Sequence, residues 1–392
     1  MTTESRLRLR EAYSNAALLI LNTIIVFAIF NLVAGLVIEI GGTASSSRPG
    51  PLSYPMEKLA LVYPGWNESD IEELLSETWS REYVYRPFVQ HREAPRQGRY
   101  VNIDAAGFRR TSGSEPWPPA NSALNVFAFG GSTTFGYGLP DWETIPARMQ
   151  VRLNADCERP VQVYNFGGGN FYSEQERALF ETQLASGIRP DVAVFLDGLN
   201  EWKKDPKFTR RLEYLMSEGD GRLALRALKT LPFLDWVASL RNRDSESLAP
   251  TDDDAAAEAA RKFVDRWLRN RRLVQAAGEA FEVELLFVWQ PVPSYGYDLG
   301  AHLFGNESHR SIQHGLVRAG YQMMDRRRNG VQAAPSSSDF LWLADLQEGR
   351  REPLYVDAAH YTAAFSEEIA RRIVDKVRPK LDCGGVPESE ND

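Results

Sequence analysis

Cysteine is scarce in this chain: 392 residues contain two, Cys157 and Cys383. Neither a zinc cluster nor a redox Cys-x-x-Cys can be built from them. They are either two free thiols or one bridge, and the compartment decides between these. Histidine is scarce as well, at five: His91, His302, His309, His314 and His360. The three between 302 and 314 lack the i, i+4 spacing of a helical ligand pair, so no metal site is expected. An excess of positive charge is also missing, with 45 Lys and Arg against 53 Asp and Glu and a formal charge of -8. No basic patch is interleaved with aromatics, so nucleic acid is not expected as a partner. The run Asp252-Asp253-Asp254 reads as a solvated loop, because three adjacent carboxylates cannot converge on one ion. No internal repeat is present. Hydrophobic residues at 43% and charged residues at 25% leave ample material for a buried core.

What is present begins with a single long apolar run. Residues 16–38, AALLILNTIIVFAIFNLVAGLVI, carry no charge; as a helix they extend about 34 Å, enough to span a bilayer. A secretory core segment is shorter, about 7–15 residues, so a retained anchor is expected rather than a cleaved signal. Asn22 and Asn31 fall on opposite faces of that helix, either as bonds to a partner helix or as tolerated polar residues. Arg6, Arg8 and Arg10 precede the run, and Arg48 is the one nearby base after it. The positive-inside bias therefore expects residues 1–15 in the cytoplasm, one transmembrane helix over 16–38, and the rest of the chain outside. The Gly-, Ser- and Pro-rich segment 41–56 reads as a tether, residues 57–383 as the folded body, and 384–392 as a frayed tail.

Within the body, LNVFAF (124–129), VQVYNF (161–166), PDVAVFLDG (190–198) and VELLFVWQP (283–291) are short apolar runs that suit buried strands. RYVNIDAAGFR (99–109) reads as a further strand ending at a turn glycine. Helices are expected over 69–79, 144–154, 173–187 and 363–377, the last with Ile369, Ile373 and Val377 on one face. A largely helical insertion occupies about 202–280. Its apolar stretch 223–240 reads as a substrate-selecting lid, a membrane-resting segment, or helices packed on the domain. Strands alternating with helices argue for an α/β fold with a parallel sheet covered on both faces. In such sheets sites form at the carboxyl ends of strands.

The chemistry-bearing residues fall at those ends. FAFGGSTTFG places Ser132 just beyond a strand that stops at two glycines. Asn165 and the run Gly167–Gly169 end the second strand, and Gly198 and Asn200 the third. Far downstream, YVDAAHYT holds Asp357 and His360. A serine nucleophile needs a base, and the base needs an orienting carboxylate; Asp-x-x-His lets one local segment supply both. The dinucleotide fingerprint is absent, since Tyr172 stands where its last glycine belongs. The lipase-type elbow is absent too, with Thr134 in place of its second glycine.

As an ordered set, FGGSTTFG, YNFGGGNFYSEQE, DGLNE and VDAAHYT resemble the SGNH (GDSL-like) hydrolases over roughly residues 123–380. The resemblance implies a three-layer α/β/α, flavodoxin-like fold and carboxylic-ester hydrolysis without a cofactor. It implies Ser132 as nucleophile, His360 as base and Asp357 as its orienting acid. The oxyanion would be held by the Ser132 amide, a backbone N–H near Gly169 and Asn170, and the Asn200 side chain. Asn170 stands where the family usually has glycine, and asparagine tolerates the left-handed backbone that the position needs. The first block reads Gly-Gly-Ser rather than Gly-Asp-Ser, which loses an acid and keeps the nucleophile. Gln290, Tyr295 and Tyr297, just past the fourth strand, are candidate pocket residues by position. In a parallel α/β sheet, strand starts and the ends of returning helices share the bottom face, which pairs Cys157 with Cys383. The partner implied is then an acyl ester, with a glycan as one candidate carrier, and the body is extracytoplasmic. Two other functions fit the pattern: O-acyl transfer to an envelope glycan on the same triad, and a non-catalytic glycan-binding or assembly scaffold.

Overall fold

The computed structural model describes residues 3–44, 50–80, 82–111, 116–202, 253–305, 313–329 and 339–383. Most of the expected insertion (203–252, with the apolar stretch 223–240), residues 45–49 of the tether and the tail 384–392 lie outside the described residues. The chain divides into two compact units; of the first only helix α1 is described, and the second carries everything else.

Helix α1 runs over Thr3–Ala44. Its segment Arg10–Leu36 is long and apolar enough to cross a membrane. The helix extends well beyond 16–38 on both sides. The tether expected over 41–56 is therefore helical through Ala44, and Gly50–Ser53 forms a single 3-10 turn. Two helices open the body, α2 (Met56–Val62) and α3 (Glu68–Trp79). Asn67 caps α3 by accepting the Asp70 N–H at 2.9 Å. A hairpin follows, β1 (Tyr83–Arg86) with β2 (Gln90–Glu93), paired antiparallel with Tyr83 opposite Glu93 and Tyr85 opposite His91. The strand expected over 99–109 does not form. Ile103 and Arg109 make isolated bridges instead, because the polar groups of this segment bond to Glu77, Asp141 and Asp104 rather than to a neighbouring ladder.

The central sheet consists of β3 (Leu124–Gly130), β4 (Val161–Asn165), β5 (Val192–Asp197), β6 (Glu284–Trp289) and β7 (Phe340–Trp342). All pairs are parallel and the order is β4-β3-β5-β6-β7. Counted within the sheet this is 2-1-3-4-5, the doubly wound flavodoxin-like order, whose direction reverses between β3 and β5. The intervening helices are α4 (Ser132–Phe135), α5 (Ile145–Asp156), α6 (Ser173–Ala185), α7 (Asp253–Ala280), α8 (His314–Asn329) and α9 (Ala363–Val377).

The strand sequences alternate aromatic with aliphatic, and period 2 sends the two sets to opposite faces. Phe127, Phe129, Phe195, Phe287 and Trp289 meet α6, α7 and α8 on one face. Val126, Ala128, Val194, Leu286 and Val288 meet Met149 and Leu153 of α5 and Ile369, Ile373 and Val377 of α9 on the other. Phe129, Phe195 and Phe287 are partners in register across three strands. Their rings stack at 4.9 and 5.3 Å between centroids. Each such buried side chain contributes about 1.5–3 kcal/mol through burial alone. Cys157 and Cys383 are joined by a disulfide, with Cα atoms 4.4 Å apart. The bridge lies where α5 ends and α9 has just finished, at the amino ends of the strands.

Candidate active site

The carboxyl ends of β3, β4 and β5 carry the residues singled out above. Strand β3 ends at Gly130, Gly131 caps the one-turn helix α4, and Ser132 is that helix's first residue. A Cβ at 131 would lie 2.5 Å from Asn200 Nδ2 and 3.2 Å from the Phe171 carbonyl oxygen, so a larger residue there would displace the Asn200 amide. The Asn200 amide thus passes directly over the turn that presents Ser132, and one of its hydrogens is donated to Phe171 O at 2.9 Å.

His360 and Asp357 come from one tight loop. Its stems are closed by bonds from Val356 N to His360 O and from Thr362 N to Leu354 O, at 2.8 and 2.9 Å. At the tip, His360 Nε2 lies 2.8 Å from Ser132 Oγ. His360 Nδ1 lies 2.8 and 2.7 Å from the two oxygens of Asp357. Asp357 also accepts the backbone N–H groups of Ala359 and His360 at 2.9 and 2.8 Å. A carboxylate facing three N–H donors accepts from all of them, so the proton of the neutral ring sits on Nδ1 and Nε2 is the acceptor that faces the serine hydroxyl. Burial opposes ionisation of Asp357. The adjoining His360 and these N–H donors outweigh it and hold the carboxyl below its ordinary value. The imidazole is fixed in plane by Tyr137, stacked at 4.9 Å, and by the edge of Trp79 at 5.6 Å. A hydroxyl, an imidazole and a carboxylate from segments 228 residues apart therefore form one hydrogen-bonded chain.

The remaining expected residues divide. Asn170 takes a left-handed backbone with φ of 62°, as its position demands. Gly169 is a correction: its N–H is already donated to Glu93 Oε1 at 2.7 Å, which takes it out of the expected oxyanion donors. Gln290 is 1% exposed and is not among the residues that line the cleft at Tyr295; its side-chain oxygen accepts the Thr133 hydroxyl at 2.6 Å and lies 3.0 Å from the Tyr361 hydroxyl. It ties the residue after Ser132 to the residue after His360. Tyr295 and Tyr297 do line a cleft, of about 360 Å³, with Ser294, Arg318 and Gln322. Ser132, His360, Asp357 and Asn200 are not among its lining residues.

Several residues of the site were not expected. Buried Arg109 donates to Asp141 at 2.7 Å and to the carbonyls of Phe135, Gly136 and Leu139 at 3.0, 2.8 and 2.6 Å, fastening the end of α4. Glu201, next to Asn200, accepts Ser173 N and Ser173 Oγ at 2.8 Å each. His91 and Glu93 on β2 bond the Gly169 backbone.

No family model matches the chain, and no curated protein matches it. Among solved structures it is similar to a carbohydrate acetylesterase family member from Sinorhizobium meliloti, with 12% identity and a TM-score of 0.38 over 66% of this chain and 98% of that one. It is similar to a lipase from a goat-rumen metagenome, with 14% identity and a TM-score of 0.38 over 67% and 99% of the two chains. A lipase/acylhydrolase from Enterococcus faecalis is 13% identical, with a TM-score of 0.34 over 67% and 98%.

Proposed function

We propose that this chain is a serine ester hydrolase that works through an acyl-enzyme. One observation carries the reading: Ser132 Oγ, His360 and Asp357 are linked by bonds of 2.7–2.8 Å, with the tautomer that makes Nε2 a base. His360 removes the hydroxyl proton as Ser132 Oγ attacks the ester carbonyl. The oxyanion is met by the Ser132 N–H, which has no intrahelical acceptor at the first position of α4, by the second hydrogen of Asn200 Nδ2 and by the Asn170 N–H. His360 then returns its proton to the departing alcohol, and water completes hydrolysis by the same route in reverse. Orientation across a membrane belongs to the same proposal: α1 spans, the N-terminus is cytoplasmic, and the substrate is an extracytoplasmic ester. The arginines before the apolar segment support this, as does the Cys157–Cys383 bridge, which persists in oxidising compartments.

The test is active-site labelling of the full-length protein with a fluorophosphonate, followed by adduct mapping. The expected adduct is on Ser132, absent in Ser132→Ala. The same substitution should lower kcat on an aryl acetate by about 10⁶-fold. Folded protein that takes no label would overturn the enzyme reading in favour of a non-catalytic scaffold.

A further inference from the structure

The hairpin β1–β2 lies against the turn that would supply the oxyanion donor. Residues Gly168 to Phe171 form that turn, closed by Phe171 N to Gly168 O at 3.2 Å. Gly169 and Asn170 are its central residues. A left-handed residue at the third position of such a turn marks type II. Types I and II differ by a flip of the central peptide, here Gly169–Asn170. In a trans peptide the C=O and the N–H point opposite ways. The flip would therefore reverse the direction of the Asn170 N–H.

Two side chains hold that turn from the hairpin. His91 and Glu93 stand two apart on β2 and so share a face. His91 Nε2 is 2.8 Å from Gly169 O; a carbonyl only accepts, so Nε2 carries the proton. Glu93 Oε1 accepts the Gly169 N–H at 2.7 Å. The two peptides on either side of Gly169 are thus both held. The His91 ring is packed edge-on by Tyr83 at 5.1 Å and Phe171 at 5.3 Å. The fit is close: a Cβ at 169 would lie 2.3 Å from both the Tyr83 and the Tyr137 hydroxyl oxygens and would displace them. Those two hydroxyls bond each other at 2.8 Å, and Tyr137 is the ring stacked on His360.

We infer that His91 and Glu93 are positioning residues of the reaction. They lock the Gly169–Asn170 peptide in the orientation that turns the Asn170 N–H away from the hairpin and makes it an oxyanion donor. This rests on the hydrolase reading above. His91 acts on the donor peptide itself and Glu93 on the peptide before it. Binding of the ground-state ester does not require the lock; stabilising the tetrahedral oxyanion does.

The test compares His91→Phe, which keeps the ring between Tyr83 and Phe171 and removes the donor, with His91→Gln, whose amide can reach the same carbonyl. On an aryl acetate, His91→Phe should lose about 10²–10³-fold in kcat, the scale of one lost oxyanion donor, with KM unchanged. His91→Gln should recover most of that loss. Equal kcat in parent and His91→Phe would overturn the inference while Ser132 labelling still stood. A second measurement needs no activity: amide hydrogen exchange at Gly169. Protection there should persist in Glu93→Gln and collapse in Glu93→Ala. Rapid Gly169 exchange in the parent protein would sink the clamp, even if the hydrolase reading itself had failed the labelling test.

Discussion

Glu201 follows Asn200 in the chain and is 1% exposed, close to the buried acids Glu176 and Asp197. The bonds from Ser173 orient its carboxyl, and Trp267 Nε1 donates to Asp197 Oδ2 at 2.7 Å. Burial, and then the neighbouring Asp197 charge, raise Glu201 from 4.5 to about 8, against the opposing pull of Arg266. Burial likewise lifts Asp197 to about 6 and Glu176 well above its ordinary value. An acid whose folded pKa is raised holds its proton where the unfolded chain has already released it. Its contribution is therefore intact below about pH 4.5 and is lost as pH climbs to about 8. The folded protein should lose stability across that window. Glu201→Gln, uncharged throughout, should lose less, and its urea midpoint should exceed the parent's at about pH 8 while matching it near pH 4.5. Parallel curves for the two proteins would remove Glu201 as the source.

At the scale of elements, α4 has four residues and cannot persist on its own propensity. Arg109 supplies what the helix lacks, donating to carbonyls of Phe135, Gly136 and Leu139 while paired with Asp141. Breaking a buried pair of this kind costs about 3–5 kcal/mol, so Arg109→Ala should unfold at markedly lower denaturant. Arg109→Lys should recover only part of the loss, because a single ammonium cannot reproduce the fork. Denaturation midpoints equal to the parent's would show that α4 is held by something else. Arg109 was not legible in the sequence, since Asp141 and the carbonyls of Phe135, Gly136 and Leu139 lie 26 to 32 residues away with no local pattern linking them to it. The four long sheet strands and α9 were legible, because continuous apolar runs and i, i+4 spacing speak locally. Strand β7, three half-buried residues at the sheet edge, and α8 were missed, although Val317, Tyr321 and Met324 hold helical spacing and are buried. The hairpin was illegible for a physical reason: β2 reads Gln-His-Arg-Glu, and its buried face is polar because it serves the Gly169 backbone rather than a core. Asp357 and His360 were visible because one loop carries both, and Ser132 and Asn200 because strand ends announce them. The engagement of the Gly169 N–H by Glu93, 76 residues earlier, had no such local sign.

Across the whole molecule, the site and the disulfide occupy opposite ends of the same sheet. Ser132 and Asn200 follow the carboxyl ends of β3 and β5, while Cys157 precedes β4 and Cys383 follows α9. The bridge closes a span of 226 residues that contains β4 through α9, together with His360. A closed loop of that length restricts the unfolded chain strongly, and removing such a bridge typically costs about 2–4 kcal/mol. Around it, the Glu158 N–H still bonds Cys383 O at 3.0 Å, and α5 and α9 share the aliphatic core beneath the sheet. The native arrangement is therefore held by packing as well as by the bond. Reduction, or Cys157→Ser with Cys383→Ser, should lower the unfolding free energy by about 2–4 kcal/mol and leave kcat and KM on an aryl acetate unchanged in the absence of denaturant. A loss of turnover matching the loss of stability would mean that strain at the strand starts reaches Ser132. Free thiols in protein taken from native membranes would instead place the body in a reducing compartment and reverse the proposed orientation of α1.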